Sequence, residues 1–323
     1  MNTVIGTDIG LAAALLSKGE LVALPTETVY GLAANAMNED AVLKIYKAKQ
    51  RPQFNPLIVH VASLEQANHF IDHIPGTAML LAKQFWPGPL TLLLPKKNNV
   101  PDIVTAGSGR VAIRVPNHPL TLQLLQQLDF PVAAPSANPS GYVSPTTAQH
   151  VYDGLHGKIP YILDGGECSV GVESTILGWD EEDEPEVYRL GGIPVEAIET
   201  TLRQKVKIKK LISENPDAPG QLKSHYATHT PLHMGVMEEM LRRFEDEKIV
   251  LINFSNYHPH LPKEQQLILS PNGTLEEAAK NLFNVLRKAD ALKADVLLAE
   301  PLPSKGLGAA INDRLERAQF IMK

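Results

Sequence analysis

Residues 25–61 read PTETVYGLAANAMNEDAVLKIYKAKQRPQFNPLIVHV, and this stretch decides how the first half of the chain folds. An apolar strand at residues 21–24 runs into a turn at Pro25, a helix capped by Asn38 follows, and residues 57–61 form a second apolar strand. Several connections are too short for helical crossovers, so the sequence predicts an α/β fold with a twisted, mixed sheet. The further strands predicted for this sheet are residues 90–94, 111–115, 131–135, 161–163 and 175–177.

The second half of the chain differs from the first in composition. Residues 214–231 hold three prolines and show no periodicity, which is typical of a linker. Beyond them, a Thr274–Glu277 capping box opens one helix, and residues 308–320 form a closing helix. The strands predicted around these helices are residues 248–254, 266–269 and 294–299. We therefore predict a catalytic domain (1–203), a linker or lid (204–230) and a smaller Rossmann-like α/β domain (231–323).

Composition narrows the class of protein. The chain of 323 residues is longer than a single hydrophobic core usually supports, so two domains are expected. Its net charge of -6 argues against a general nucleic-acid binder, although a local basic cleft is still allowed. The single cysteine, Cys168, excludes an internal disulfide and is more typical of a packed residue than of a nucleophile. The N-terminus lacks a signal-peptide pattern and no apolar run approaches ~20 residues, so we expect a cytoplasmic protein without a membrane span.

Two cations stand at the end of the first helix after the Pro-Thr-Glu-Thr turn. Lys49 and Arg51 can be explained as charges that complement the helix dipole. Pro52 and a second proline after Asn55, however, fix the directions in which Arg51 and Asn55 point, and lysine and arginine are the side chains that bind phosphate. Spacing alone leaves helix capping and a phosphate site as alternatives.

Two polar side chains lie inside predicted apolar strands. His60 in LIVHV is either a core histidine or a ligand-binding group. Arg114 in VAIRVP is costly to bury unless it is paired. We therefore expect an anionic partner for Arg114, which is either an acidic side chain or a substrate carboxylate.

Two loops bring hydroxyl and amide groups to the ends of strands. The run APSANPSG (residues 134–141) follows a strand, and its alternating Ser136 and Asn138 can point to one side. The run GVEST (171–175) enters another strand. Each loop is either an ordinary turn or part of a ligand site, while the acidic residues 180–186 are expected at a solvated hairpin tip.

The chain lacks the short motifs that mark common nucleotide and hydrolase sites. There is no GxxxxGK[ST], GxGxxG, GxSxG or HExxH. His225, His229 and His233 have the spacing of metal ligands on a helix, but Pro231 breaks that helix and no carboxylate or cysteine nearby completes the set. Any bound ATP must therefore be held by a different scaffold.

The combined motifs are similar to those of one family. They are PTETVYGLA, KAKQRP followed by NPLIVHV, WPGPLTLLL, VAIRVP, APSANPSG, GVESTIL and YRLGG, with PGQLKSHYAT and GLGAAINDRLERA further on. Through these segments nearly the whole chain resembles the YrdC-type threonylcarbamoyl-AMP synthases in their long, two-domain form. The linker departs from the family pattern at Leu222, Lys223 and Thr228.

The resemblance implies an enzyme that makes threonylcarbamoyl-AMP and pyrophosphate from L-threonine, bicarbonate or carbon dioxide, and ATP. This is the first step towards N6-threonylcarbamoyladenosine beside the anticodon of tRNA, and separate proteins then transfer the group to tRNA. The family pattern implies threonine contacts from Thr28, His60, Arg114, Ala134 and Ser174. It implies ATP contacts from Lys49, Arg51, Asn55, Arg110, Ser136, Asn138, Ser144, Arg189, His225 and Tyr226.

The implied mechanism needs positioning and charge neutralisation. Lys49 and Arg51 carry the catalytic charge, and Mg²⁺ arrives with ATP rather than on protein side chains. We expect no covalent intermediate, no organic prosthetic group and little direct binding of nucleic acid. Two other interpretations are an RNA-binding or ribosome-associated module of the same fold and a carbamoyl transferase, whose zinc-finger and acylphosphatase-like segments are missing here.

Overall fold

The computed structural model describes residues 2–209, 218, 226–259 and 261–319. Three residues named in the predicted lid, Leu222, Lys223 and His225, lie outside this set. The described residues form two α/β units, each built around its own sheet. No helix among them is long and apolar enough to cross a membrane.

The N-terminal unit is built on a large mixed sheet. Its strands are β1 Val4–Gly6, β2 Val22–Leu24, β3 Gly31–Asn35, β4 Ile58–His60, β5 Leu90–Pro95, β6 Arg110–Arg114, β7 Val132–Ala133, β8 Tyr161–Leu163, β9 Thr175–Trp179, β10 Pro185–Arg189 and β11 Lys207–Ile208. Over the described residues they follow the order β1-β8-β2-β3-β7-β4-β6-β5-β9-β10-β11. The predicted mixture is confirmed, because β4 pairs with β6 in parallel whereas β2–β3 and β5–β6 are antiparallel.

The sequence did not predict β1, β3, β10 and β11. Strand β3 has the sequence GLAAN, which lacks the β-branched and aromatic residues that mark strands. It forms because it pairs with β2 on one side and β7 on the other. Strand β11 pairs with β10, so the sheet continues into the segment that was predicted as linker. The predicted hairpin at residues 180–186 is confirmed, because it joins antiparallel β9 and β10.

Helices cover the N-terminal sheet. They are α1 Ile9–Ser17, α2 Glu39–Lys49, α3 Leu64–Ala67, α4 Gly76–Phe85, α5 Asp102–Thr105, α6 Pro119–Gln127, α7 Ala148–Leu155 and α8 Val195–Leu202. Helix α2 begins after the predicted cap, Asn38, whose Oδ1 accepts a hydrogen bond from the Ala41 amide at 3.1 Å. It ends at Gln50, whose left-handed backbone (φ 54°) turns the chain so that the Arg51 amide donates to the Tyr46 carbonyl.

Strand alternation sends the side chains of β4 and β6 to two different faces of the sheet. Val59 of β4 and Ile113 of β6 belong to the main hydrophobic core. Their neighbours point the other way, because successive side chains of a strand alternate between faces. His60 and Arg114 are register partners across β4 and β6. The two polar residues of the apolar strands therefore lie side by side on the face opposite the main core.

The C-terminal unit has a parallel sheet. Its elements are β12 Leu232–Met234, α9 Met237–Arg243, β13 Ile249–Asn253, the 3₁₀ helix Lys263–Gln265, β14 Gln266–Ile268, α10 Leu275–Ala291, β15 Val296–Ala299 and α11 Leu307–Ala318. The described strands pair in the order β12-β15-β13-β14, and every pair is parallel. Parallel α/β architecture agrees with the prediction, but this order is not the doubly wound Rossmann order. The predicted Thr274 cap of α10 is confirmed by its hydrogen bond from the Glu277 amide.

Replacing Asn38 with alanine tests the link between the α2 cap and stability. The variant loses the Asn38–Ala41 hydrogen bond, so we expect the N-terminal unit to lose ~1 kcal/mol in free energy of unfolding. Urea unfolding followed by circular dichroism measures the change. Gln123→Ala on the exposed face of α6 is the control and should change stability by less than ~0.5 kcal/mol. Equal effects of the two substitutions would contradict the capping role.

Candidate active site

A cavity opens on the side of the N-terminal sheet that carries His60 and Arg114. Its lining is rich in polar and charged side chains, as is typical of a site that binds a polar ligand. All five residues predicted to contact threonine line it, and so do three of those predicted to contact ATP. These eight are Thr28, His60, Arg114, Ala134 and Ser174, together with Arg51, Ser136 and Arg189.

Arg114 is held by three partners at this cavity. Its Nη2 lies 2.6 Å from Oε1 of Glu27, and the side chains of both residues are only 4% exposed. Its Nη1 donates to the Thr28 hydroxyl at 3.0 Å, and its Nε donates to the Gly88 carbonyl at 3.2 Å. Of the two partners that the sequence allowed, the structure shows the acidic side chain. Arg114 is thus oriented before any substrate arrives.

His60 sits beside Arg114 and is uncharged. Burial, with the nearby Arg114 charge as the second cause, lowers the pKa of His60 to about 3. The Nδ1 atom lies 3.2 Å from the Ile58 carbonyl, which can only accept, so Nδ1 carries the proton. Nε2 is then an acceptor on a residue that lines the cavity. The core-histidine and ligand interpretations are therefore compatible, because one nitrogen is satisfied by backbone and the other is available.

Ser174 and Arg189 form another part of the cavity wall. The Ser174 hydroxyl is 2.7 Å from the Thr91 hydroxyl. Arg189 donates from Nε and Nη2 to the Ser174 carbonyl, at 3.0 and 2.9 Å, and from Nη2 to the Ser174 hydroxyl at 3.0 Å. Burial lowers the pKa of Arg189 to about 10, so the guanidinium stays charged at neutral pH. A positive group therefore lies next to a hydroxyl at the cavity wall.

Lys49 and Arg51 have different positions, although they are close in sequence. Arg51 lines the cavity, and its guanidinium donates to the carbonyls of Asn55 and Pro56. Lys49 does not line it: the ammonium donates to the Ser136 and Asn138 carbonyls. Burial, followed by the Arg51 charge, lowers the pKa of Lys49 well below its ordinary value. Lys49 thus holds the APSANPSG loop in place and acts from behind the wall.

Unpartnered polar atoms collect around the site. Neither the amide nitrogen nor the amide oxygen of the Asn55 side chain has a hydrogen bond within the described structure, although this residue is only 1% exposed. The same is true there of Asn138 Oδ1. A buried polar atom without a partner is costly, so such atoms mark places where a ligand can supply the missing bond. Neither asparagine lines the cavity, but the backbone carbonyl of each accepts a hydrogen bond from a basic residue of the site, Arg51 for Asn55 and Lys49 for Asn138.

The remaining predicted ATP residues that the structure describes do not line the cavity. Tyr226 stacks on Phe283 of the C-terminal unit, with ring centroids 5.5 Å apart. Arg110 donates from Nη1 to the Tyr188 hydroxyl at 2.9 Å. The Ser144 hydroxyl donates to the carboxylate of Glu173, a residue that lines the cavity. These three residues, with Lys49, Asn55 and Asn138, are the predicted residues in the described structure that do not line the cavity.

Sequence reasoning missed two acids. Glu27 pairs with Arg114, and Glu173 lines the cavity and accepts a hydrogen bond from the Ser144 hydroxyl at 2.6 Å. Both were visible inside quoted motifs, PTET and GVEST. Glu27 could have been predicted from Arg114, because a buried arginine requires an acidic partner. The PTET turn that contains Glu27 follows β2 and leads into the site.

The histidine series does not form a metal site in the described residues. His229 pairs with Asp290 at 2.8 Å, and His233 packs against the ring of Phe244. No group of three or more histidine, cysteine, aspartate or glutamate residues suited to a metal ion occurs in the described ranges. His225, the third member of the series, lies outside these ranges.

Known proteins share both units. Residues 14–191 match the Sua5/YciO/YrdC family model, described as telomere recombination, and residues 193–319 match the C-terminal domain model of threonylcarbamoyl-AMP synthase. Threonylcarbamoyl-AMP synthases of Pyrococcus abyssi and Bacillus subtilis are each 42% identical; the alignments cover 96% of this chain in both cases and 93% and 92% of the relatives. The crystal structure of P. abyssi Sua5 complexed with L-threonine matches with a TM-score of 0.89 and 41% identity, over 98% of this chain and 97% of that one.

These matches span both sheets and the cavity between β2, β4, β6 and β9. They agree with the motifs quoted from the sequence, which lie in the same segments. The chain therefore belongs to the threonylcarbamoyl-AMP synthase family, whose members are ATP-using transferases of tRNA threonylcarbamoyladenosine biosynthesis.

Proposed function

We propose that the cavity converts L-threonine, ATP and bicarbonate or carbon dioxide into threonylcarbamoyl-AMP and pyrophosphate. One observation carries this proposal: an oriented Arg114–Thr28–His60 group and the buried cations Arg51 and Arg189 line the same cavity. The first group suits an amino acid, and the second suits a phosphate chain. The close relation to P. abyssi Sua5, which was crystallised with L-threonine, supports the first assignment.

Threonine is proposed to bind with its carboxylate towards Arg114 and its polar side-chain atoms towards His60 and Ser174. Arg114 is already held by Glu27 and Thr28, so little side-chain order is lost on binding. With a pKa of about 3, His60 is too weak a base to take a proton from the threonine ammonium. Its Nε2 is instead suited to accept a hydrogen bond that orients the substrate.

The chemistry then proceeds in two steps. The threonine ammonium first gives a proton to water. The free amine then attacks the carbon of carbon dioxide: the C–N bond forms as one C=O π bond opens onto oxygen, and the second proton leaves the nitrogen to water, which gives a carbamate. A carbamate oxygen attacks the α-phosphorus of ATP; the new O–P bond replaces the bond to the bridging oxygen, and pyrophosphate leaves. Negative charge builds up on the phosphate oxygens, where Arg51 and Arg189 are placed to stabilise it, while Lys49 keeps the APSANPSG loop in position.

Magnesium fits this site as a companion of ATP. The carboxylates nearest the cavity, Glu27 and Glu173, are each tied to an arginine, Arg114 and Arg314. Mg²⁺ commonly keeps substrate phosphates and waters as ligands rather than a protein cage. When bound with ATP, the ion would neutralise charge on the phosphate oxygens, and the protein contributes the arginines around them.

The product is proposed to pass to the proteins that transfer the threonylcarbamoyl group to tRNA. Such a mixed anhydride is open to attack by water, so transfer needs to follow quickly. We place the reaction in the cytoplasm, in keeping with the single, buried Cys168. An RNA-binding or ribosome-associated role is not favoured, because the net charge is -6 and the relatives that match over the whole chain are synthases.

Pyrophosphate release in the absence of RNA tests the reaction. With ATP, Mg²⁺ and bicarbonate present, we expect release to require L-threonine, because no phosphate leaves until a carbamate oxygen attacks. A coupled pyrophosphate assay measures the rate, and mass spectrometry identifies threonylcarbamoyl-AMP. D-threonine serves as the control substrate and should give no product. Release at the same rate without threonine would refute the proposed reaction.

Substitution of Arg114 tests the threonine side. Hydrogen bonds to a charged group contribute ~1.5–3 kcal/mol, so Arg114→Ala should raise the KM for threonine at least about tenfold. The KM for ATP should change less than about twofold. Both constants come from the pyrophosphate assay.

Folding must be separated from binding in this experiment, because Arg114→Ala leaves Glu27 buried without its cation. Arg114→Lys retains the positive charge but loses the fork that reaches Thr28, and it should also raise the threonine KM. Thermal unfolding reports on the fold of each variant. Equal losses for threonine and ATP in the lysine variant would contradict the assignment.

A further inference from the structure

One residue of the C-terminal unit reaches the wall of the active site. Arg314 lies on α11 and its side chain is 0% exposed. Its Nε and Nη2 donate to Oε2 of Glu173 at 3.2 and 3.1 Å, and its Nη1 donates to the Leu190 carbonyl at 2.6 Å. A guanidinium from one domain thus neutralises a carboxylate that lines the cavity of the other.

Glu173 connects this ion pair to the predicted ATP residues. Its second oxygen, Oε1, accepts the hydrogen bond from Ser144. The next residue, Ser174, binds Arg189 through both its carbonyl and its hydroxyl. The orientation of Glu173 therefore bears on Ser144 directly and on Arg189 through the neighbouring backbone.

The charges explain why Glu173 needs Arg314. Burial alone would raise the pKa of Glu173, but the charges of Arg314 and then Arg189, with the Ser144 hydrogen bond, keep it below its ordinary value. Without Arg314, Arg189 would be the positive charge that acts most strongly on the Glu173 carboxylate. Glu173 would then either take up a proton or turn towards Arg189 and neutralise a charge intended for phosphate.

Other contacts hold the same wall from the C-terminal side. Gly171 precedes Glu173 by two residues and has a φ of +79°. A side chain there would meet the backbone of Lys280 on α10 at 2.4 Å, so only glycine allows this approach. Arg287 of α10 donates to the Val143 and Ser144 carbonyls. The GVEST loop and the residues before Ser144 are therefore fixed by the docked domain.

We propose that Arg314 is a positioning residue of the active site: the C-terminal domain orients Glu173 and Ser144, and keeps Glu173 off Arg189. This inference rests on the proposed function, because it assumes that Ser144 and Arg189 contact ATP. It assigns the C-terminal domain a part in nucleotide binding that does not require it to touch the nucleotide.

The test is a double-substitution cycle in the full-length protein. The variants are Arg314→Met, Glu173→Gln and the two combined, since glutamine can still accept from Ser144 but does not need a cation. Calorimetry measures the Kd of α,β-methylene-ATP with Mg²⁺, an analogue that cannot release pyrophosphate. Threonine binding is measured in parallel.

We expect Arg314→Met alone to weaken analogue binding by about tenfold or more and threonine binding by less than about threefold. In the Glu173→Gln background, Arg314→Met should change the analogue Kd by less than about threefold, because the charge that needed Arg314 is gone. Lys280→Met is the control: it removes the interdomain Lys280–Glu167 ion pair (3.4 Å) and should leave the Kd unchanged.

Three results would overturn the inference. They are an unchanged analogue Kd in Arg314→Met, equal weakening of threonine and analogue, and an undiminished effect of Arg314→Met in the Glu173→Gln background. If Arg314→Met does not fold, Arg314→Lys replaces it in the cycle, because it keeps the charge but loses the fork that donates to Glu173 through Nε and Nη2. Wild-type protein that binds the analogue but lacks threonine-dependent pyrophosphate release would instead count against the proposed function.

Discussion

The buried ion pair between Arg114 and Glu27 is the interaction on which the rest of the site depends. Arg114 occupies a position on β6 where an apolar residue would otherwise complete the strand, and the pairing of β4 with β6 places it beside His60. An unpaired guanidinium at that depth would be strongly destabilising. Glu27 removes that cost and fixes the PTET turn, which in turn carries Thr28 to the guanidinium.

Three basic residues around the cavity donate hydrogen bonds to the backbone. Lys49 and Arg51 donate to the carbonyls of Ser136, Asn138, Asn55 and Pro56, and Arg189 donates to the Ser174 carbonyl. A carbonyl satisfies a donor but brings no negative charge, and Arg51, with a pKa of about 10, keeps its positive charge at neutral pH. The region around the cavity can therefore be positive even though the net charge of the chain is -6. A cleft with low-dielectric walls strengthens the electrostatic potential that a bound ligand experiences. This arrangement suits a polyanion better than a lattice of salt bridges would.

The sequence predicted some residues of the cavity and some strands of the sheet, and the difference between those found and those missed has a physical reason. His60 and Arg114 could be recognised because each is a polar residue inside an otherwise apolar strand. In the structure the two residues lie side by side on one face of the sheet. Strand β3 was missed because GLAAN has no strand propensity and exists only through pairing with its neighbours. The role of Lys49 as a brace for a loop 87 residues away was likewise out of reach, because it depends on a long-range contact.

The unpartnered atoms at this site can be understood as part of its function. A protein that served only its own stability would pair or remove the Asn55 amide and Glu27 Oε2, since leaving a buried polar atom unsatisfied costs ~1–3 kcal/mol. Neither Asn55 nor Glu27 lines the cavity, but each contacts an arginine that does, Arg51 and Arg114 respectively. Glu27 and Glu173 differ in how many of their oxygens have partners. Both carboxylate oxygens of Glu173 accept hydrogen bonds, one from Ser144 and one from Arg314, so its side chain is held in one orientation. Glu27 keeps one oxygen without a partner in the described structure, next to the arginine proposed to meet threonine.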